Sequence, residues 1–198
     1  MKRLLRIDSS TRGADSHSRS LANMIEAKWA EENRGLEVIR RDLSQMHIPH
    51  INQDYIEATF VSKEDRTPAI DELLALSDGL IAEMKSADTV LISLPMFNFS
   101  IPSVLKAYID YISRFGETFL VDERGYTGLL SNKKLVIACA YASDNIEAIK
   151  EMDCVGPYLK VVFGFLGFDD IQYLTLGGTG AYSSEVLAAH KLELIKGL

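Results

Sequence analysis

Five short apolar runs recur along this chain, and stretches with helical spacing separate them. The runs cover residues 3–7, 36–40, 90–92 ahead of Pro95, 134–140 and 171–176. The third and fourth are continuous rather than alternating, as strands buried on both faces are. Between the runs, apolar residues return every three or four positions. One such set is Leu21, Ile25 and Trp29, with Met24 beside them. A second is Ile70, Leu73, Leu74, Ile81 and Met84, opened by Thr67-Pro68. A third is Val104, Leu105, Tyr108, Ile109 and Ile112, opened by Pro102. A fourth is Val155, Leu159, Val162, Phe163 and Leu166, and Ser183 or Ser184 caps a last helix. Regular strand–helix alternation calls for a five-stranded parallel sheet with helices on both faces. The expected strand order is 2-1-3-4-5, with a ligand site where the order reverses, between the first and third strands.

Two departures from the alternation are expected. Residues 44–66 read as irregular, with a short helix near 54–60; segments this long in a compact domain are often lids or interface segments. Residues 118–121 and 126–127, around a turn-rich 122–125, read as a hairpin inserted after the third long helix. At 198 residues the chain suits one domain, 1–198.

The loops after the first and third strands carry the chemistry. After the first, SSTRGADSHSRS leads into a helix. Hydroxyls at Ser10, Ser16 and Ser18, beside backbone amides at a helix N-terminus, make a phosphate cradle. As plain structure, Ser16 or Ser18 is an N-cap and the rest a solvated turn. The turn lacks GxxxxGK[ST] and GxGxxG, which speaks against a nucleoside triphosphate or a tightly held dinucleotide there and leaves a monophosphate. After the third strand, Met96, Phe97, Asn98 and Phe99 set two aromatic rings around one amide, which suits a flat heteroaromatic ligand. The plain alternative is two core plugs and a turn residue.

Composition narrows the classes. A net charge of -7 argues against nucleic acid, which needs clustered Lys and Arg. No apolar run approaches the roughly 20 residues of a membrane span, and the start MKRLLRIDSS is not expected to be a signal peptide. Cys139 and Cys154 show no CxxC or metal spacing, so a reducing, cytoplasmic setting is expected. His47 and His50 flank Pro49 with no third ligand nearby, and no metal site is expected.

Taken together, PMFNFSIPSVLKAYIDY at 95–111 and Ser9-Ser10 followed by Ser16-His17-Ser18 resemble the FMN-dependent NADH:quinone reductases known as azoreductases, in the flavodoxin-like superfamily. The resemblance spans essentially the whole chain. It implies a flavodoxin-like fold and one tightly bound FMN per subunit of a homodimer. NADH would be the co-substrate, with quinones and azo compounds as acceptors in a ping-pong cycle. It implies that Ser10, Ser16, His17 and Ser18 hold the FMN phosphate, and that Met96, Phe97, Asn98 and Phe99 lie along the ring. It also implies that Ala140, Tyr141, Ala142 and Ser143 contribute a third loop, and that Phe119, Leu120 and Phe163 wall the substrate pocket. No catalytic side chain is implied, because the cofactor carries the chemistry. This chain departs from the family at 140–143. There, Cβ atoms replace the glycines of a Ser-Arg-Gly-Gly-like turn and Tyr141 is bulky, so contacts at the pyrimidine end of the flavin and substrate preferences are expected to differ. The rival readings are a flavodoxin-type electron carrier and a phosphate-ester hydrolase. The hydrolase lacks the cysteine nucleophile it needs in the serine-rich turn.

Overall fold

The structure, a computed structural model, describes residues 1–123 and 125–198. Arg124, inside the expected 122–125 turn, lies outside the described residues. The chain forms β1 (Arg3–Asp8), α1 (His17–Glu32), β2 (Glu37–Asp42), α2 (Gln53–Thr59), α3 (Pro68–Ser86), β3 (Thr89–Pro95) and α4 (Ser103–Ile112). It continues through β4 (Phe119–Asp122), β5 (Gly125–Gly128), β6 (Lys134–Ala140), α5 (Ile146–Ile149), α6 (Val155–Leu166), β7 (Asp170–Leu176) and α7 (Ser184–Ile195). The parallel sheet runs β2-β1-β3-β6-β7, while β4 and β5 pair with each other, antiparallel, as a separate two-stranded sheet. Counted over the whole chain the order is 2-1-3-6-7, because the hairpin takes up the fourth and fifth labels.

Side-chain alternation along the strands divides the core in two. Leu5, Ile7, Val90, Ile92, Leu94, Leu135, Ile137 and Cys139 point to the face covered by α2, α3, α4 and α6. Leu4, Leu91, Val136 and Ala138 point to the face covered by α1 and α7. Each central strand is therefore apolar on both faces, apart from buried polar residues such as Arg6, Asp8 and Ser93. Edge strand β2 is not: its side chains are half-buried or exposed, and its charges deter pairing with another chain. That polarity explains a difference of boundary. The apolar signal stops at Arg40, but pairing with β1 continues through Asp8↔Asp42. Arg41 and Asp42 stay in the strand by finding partners in Glu83 and Arg19.

The stretch 147–167, expected to contain a single helix, holds the one-turn α5 and then α6. Within 53–60, α2 starts where the Asn52 side chain accepts from Tyr55 N at 2.9 Å. The hairpin is locked to the end of α6. A Cβ on Gly128 would lie 2.2 Å from Gly167 N, so only glycine permits that backbone approach. Leu130 N then donates to Leu166 O at 2.9 Å. Among the described residues, no helix is long and apolar enough to cross a membrane.

Ahead of the hairpin, Glu117 receives Lys85 at 2.6 Å and Lys63 at 2.8 Å. Burial opposes its ionisation, but the two lysines win and hold the carboxyl down at about 2, against an ordinary 4.5. A lowered folded-state value adds stability above the ordinary value and loses it as pH falls. Glu117→Gln should therefore flatten the loss of stability between pH 4.5 and about 2. Urea unfolding midpoints across that window measure this, and an unchanged slope would mean the lysines are not coupled to Glu117 in solution.

Candidate active site

β1, β3 and β6 lie side by side with their carboxyl ends on one edge, registered Asp8↔Ser93 and Pro95↔Ala140. The loops that follow them therefore meet. From β1 the chain builds β2 on one side and β3 on the other, so the switch point lies between β1 and β3.

The first loop is tied down before it turns. Ser9 donates to Ser93 O through both N and Oγ, at 3.0 and 3.1 Å. Ser10 is buried, and its Oγ accepts from Arg12 N at 3.3 Å. Ser16 is the N-cap of α1: its Oγ accepts from Arg19 N at 3.3 Å and lies 3.1 Å from Ser18 Oγ. Ser16 and Ser18 are both buried. The amides of His17 and Ser18, in the first turn of α1, have no intrahelical acceptor. Burial, and then the charges of Lys191 and Arg12, hold the His17 imidazole below its ordinary pKa. The two charges that act on it, Lys191 and Arg12, are both positive and lie at the turn. Lys191 reaches across from α7, is nearly buried, and donates to Ser20 Oγ at 2.9 Å.

Beneath the turn lies a charged network. Arg19 donates to Ser10 O at 2.6 Å and makes a bidentate pair with Asp42, at 2.7 and 2.5 Å. The Asp42 hydrogen bond raises the pKa of Arg19, and the same bond lowers that of Asp42. Arg6 and Asp8, both buried, pair at 3.0 Å. Arg6 also meets Glu26 at 3.1 Å, and Ser93 Oγ donates to Asp8 at 2.5 Å.

The second loop is a tight reversal. Phe97 and Ser100 exchange backbone bonds, each 2.9 Å, and the residues between them have φ of 48° at Asn98 and 65° at Phe99. Two successive left-handed residues make a type I′ turn. Asparagine suits the first position, whereas phenylalanine at the second is held in a conformation that favours glycine. Phe97, Asn98 and Phe99 are exposed rather than plugged into the core. Met96, half-buried, donates from N to Ala140 O at 3.0 Å and joins the second loop to the third.

In the third loop, Ala140 and Tyr141 are buried, Ser143 is half-buried and Ala142 is exposed. The Tyr141 ring continues the inward alternation of Ile137 and Cys139 and points into the α6 face of the core. The ring therefore does not lie at the edge of the sheet; only the Tyr141 backbone remains at the loop. Thr179 donates to Tyr141 O through N and Oγ1, both at 3.0 Å, and Gly180 N donates to Ala142 O at 3.1 Å. Gly180 thus serves close packing between the two loops, since a Cβ there would lie 3.3 Å from Ala142 O.

A cleft of about 670 Å³ opens beside the second loop, lined by Phe97, Asn98, His50, Lys106, Asp110 and Tyr158 among others. Lys106 and Asp110 pair at 2.5 Å across one turn of α4. Burial, and then Asp110, push the Tyr158 phenol up to about 12, so it stays a hydrogen-bond donor. The expected wall residues divide. Phe163 is fully buried and packs edge-on against Phe168, so it is a core residue and not a pocket wall. On α6, the side that meets the sheet takes Phe163, and periodicity alone does not say which side that is. Phe119 lines a separate 260 Å³ pocket with Tyr55, Phe60 and Phe115, adjoining the cleft through Ile51 and Asp110. Leu120 stands exposed on the hairpin. Arg19, Lys191 and Tyr158 went unread because their partners lie elsewhere in the chain.

The fold and its three converging loops define a class. The family described as having the flavodoxin-like fold matches residues 2–198. The FMN-dependent NADH:quinone oxidoreductase of Hydrogenovibrio crunogenus is 40% identical over 179 residues, covering 90% of this chain and 89% of that protein. That of Xanthobacter autotrophicus is 41% identical, covering 87% and 84%. Among solved structures, an FMN-dependent NADH-azoreductase from Bacillus anthracis, in complex with FMN, superposes with a TM-score of 0.87 at 27% identity, over 100% of this chain and 97% of that one. This chain belongs to the family of FMN-dependent NADH:quinone oxidoreductases, within the flavodoxin-like fold.

Proposed function

We propose that this protein binds FMN at the carboxyl edge of β1, β3 and β6 and passes reducing equivalents from NADH to quinones and azo compounds. The observation that carries this reading is the serine turn. Two buried hydroxyls 3.1 Å apart, Ser16 and Ser18, open a 16-residue helix in a field made positive by Lys191 and Arg12. Such a turn suits a phosphate, and the exposed turn 97–100, on the strand next to β1, suits the flat ring the phosphate belongs to. When bound, the flavin supplies hydride acceptance and donation.

The chain's own residues bind, orient and exclude water. Ser10, Ser16, Ser18 and the amides of His17 and Ser18 receive the phosphate. Met96, Phe97, Asn98 and Phe99 flank the ring, and the backbone of 140–143 closes its far end. The ring faces the cleft at Phe97 and Asn98, where NADH and the acceptor would take turns. Exposed apolar side chains, Phe60 at 75% and Tyr126 at 71%, support a homodimer in which the Phe119 pocket and Leu120 adjoin the cleft at the subunit boundary. Two free thiols, Cys139 and Cys154, suit a reducing cytoplasm.

Steady-state rates with FMN, NADH and a small benzoquinone test the reading. NADH consumption with parallel initial-rate lines at several quinone concentrations is expected for one shared cleft. Flavin binding without NADH consumption would leave an electron carrier in its place, and intersecting lines would remove the shared cleft.

Asn98 offers a finer check. Its amide is the polar side chain between the two rings, and a hydrogen bond to the flavin edge is worth about 0.5–1.5 kcal/mol net. Glycine is the informative replacement, because it keeps the left-handed turn while removing the amide. Leucine would break the turn as well. Asn98→Gly should hold the melting temperature of the cofactor-free protein and lower the bound-flavin two-electron potential by about 10–30 mV. An unchanged potential would reduce Asn98 to a turn residue.

A further inference from the structure

Phe99 is held at φ 65°, and a bulky residue stays left-handed only where its surroundings over-determine it. One restraint is the Phe97–Ser100 bond pair. The other comes from a distant segment: Cys154 N donates to Phe99 O at 2.9 Å. Cys154 is the N-cap of α6, and the residue before it is anchored twice. Asp153 Oδ1 accepts from Val155 N at 2.7 Å, and Asp153 Oδ2 accepts from the Tyr141 phenol at 2.7 Å. Tyr141 has one hydroxyl hydrogen, and Asp153 takes it. The Tyr173 hydroxyl, 2.9 Å away, must then be the donor in its contact with Tyr141. Tyr141 is 1% exposed, so neither its ring nor its phenol is free to swing.

These links form one mechanical line, from the third loop through Asp153 and Cys154 to the carbonyl of Phe99. We propose that Tyr141 is a positioning residue, whose phenol holds segment 153–154 and thereby fixes the strained turn that presents Phe99 at the ring-binding edge. The bulky side chain after β6 is in this light a support: its ring stands inside the core and its phenol reaches Asp153. The proposal deepens the flavin reading and rests on it for its functional half; its structural half stands without cofactor.

Tyr141→Phe tests it, since the ring and its burial are kept and only the hydroxyl goes. Amide hydrogen exchange in the cofactor-free protein should speed up at Cys154 by at least about tenfold, with β6 and mid-α6 amides unchanged. Dissociation constants for FMN and for riboflavin should both rise, by a common factor of about five or more, because the disturbance is at the ring and not at the phosphate. Asp153→Ser keeps an acceptor for Val155 N, is too short for Tyr141, and should reproduce both effects with Tyr141 intact. Tyr173→Phe leaves the Tyr141–Asp153 bond standing and should move neither reading. Unchanged Cys154 exchange in Tyr141→Phe and Asp153→Ser overturns the clamp. Faster exchange with unchanged flavin affinity overturns its role in positioning, as does an equal effect from Tyr173→Phe. If the unaltered protein bound neither flavin, the cofactor reading would fall while the exchange result still decided the clamp.

Discussion

Replacing Ser16 with Asp is expected to leave the fold intact and to weaken FMN binding by more than about 100-fold. Both halves follow from the geometry of one residue. Ser16 caps α1, and aspartate is as good an N-cap as serine. Its charge also complements the positive end of the helix, so the cofactor-free protein should be no less stable. The same carboxylate stands where Ser16 and Ser18 would meet the phosphate. Two like charges about 5 Å apart, at an effective dielectric of about 20, repel by about 3 kcal/mol. At 1.4 kcal/mol per decade, that exceeds a factor of about 100. Riboflavin carries no phosphate, and its affinity should not change. Fluorescence titrations of the variant with both flavins separate the cases. An unchanged FMN dissociation constant removes the phosphate from this turn; equal losses for both flavins would point to a distorted loop instead.

Truncating Asp8 to Ala should destabilise the protein by about 3 kcal/mol, the largest stability change expected at the site. Asp8 and Arg6 are both buried, and Asp8 also takes the Ser93 hydroxyl. Removing one partner of a buried pair costs about 3–5 kcal/mol, mostly because the other charge is stranded. Arg6 keeps Glu26 at 3.1 Å, which places the loss near the lower end. Replacing both, Arg6→Met with Asp8→Leu, removes the stranded charge and should recover much of the stability. Urea unfolding of the three proteins measures the difference. A loss under about 1 kcal/mol for Asp8→Ala would mean that Glu26 alone satisfies Arg6.

The two substitutions sit eight residues apart, yet only one was legible before the fold was known. The serine turn stood out because hydroxyl density before a helix is a local pattern. So was the strand–loop–helix unit around Phe97, Asn98 and Phe99, and so was the alternation that builds the parallel sheet. Local periodicity and the chemistry of caps act over a few residues, which is the range a sequence displays. Arg6 and Asp8 carry no local sign of burial, and they are packed under α1. Arg19 meets Asp42 23 positions away, and Lys191 meets Ser20 171 positions away. Tyr141 is bulky for a loop after β6, and strand alternation carries its ring inward to Asp153 and Tyr173. Phe163 looked like a pocket wall, and the docking of α6 on the sheet made it core. In each case the deciding partner comes from an element remote in sequence, so its identity exists only once helices and strands have packed. Backbone pattern and loop chemistry belong to the sequence by itself; which charges are buried, which ring turns inward and what holds Phe99 in a left-handed conformation are decided by tertiary contact, because burial and hydrogen-bond partnership are properties of the packed chain.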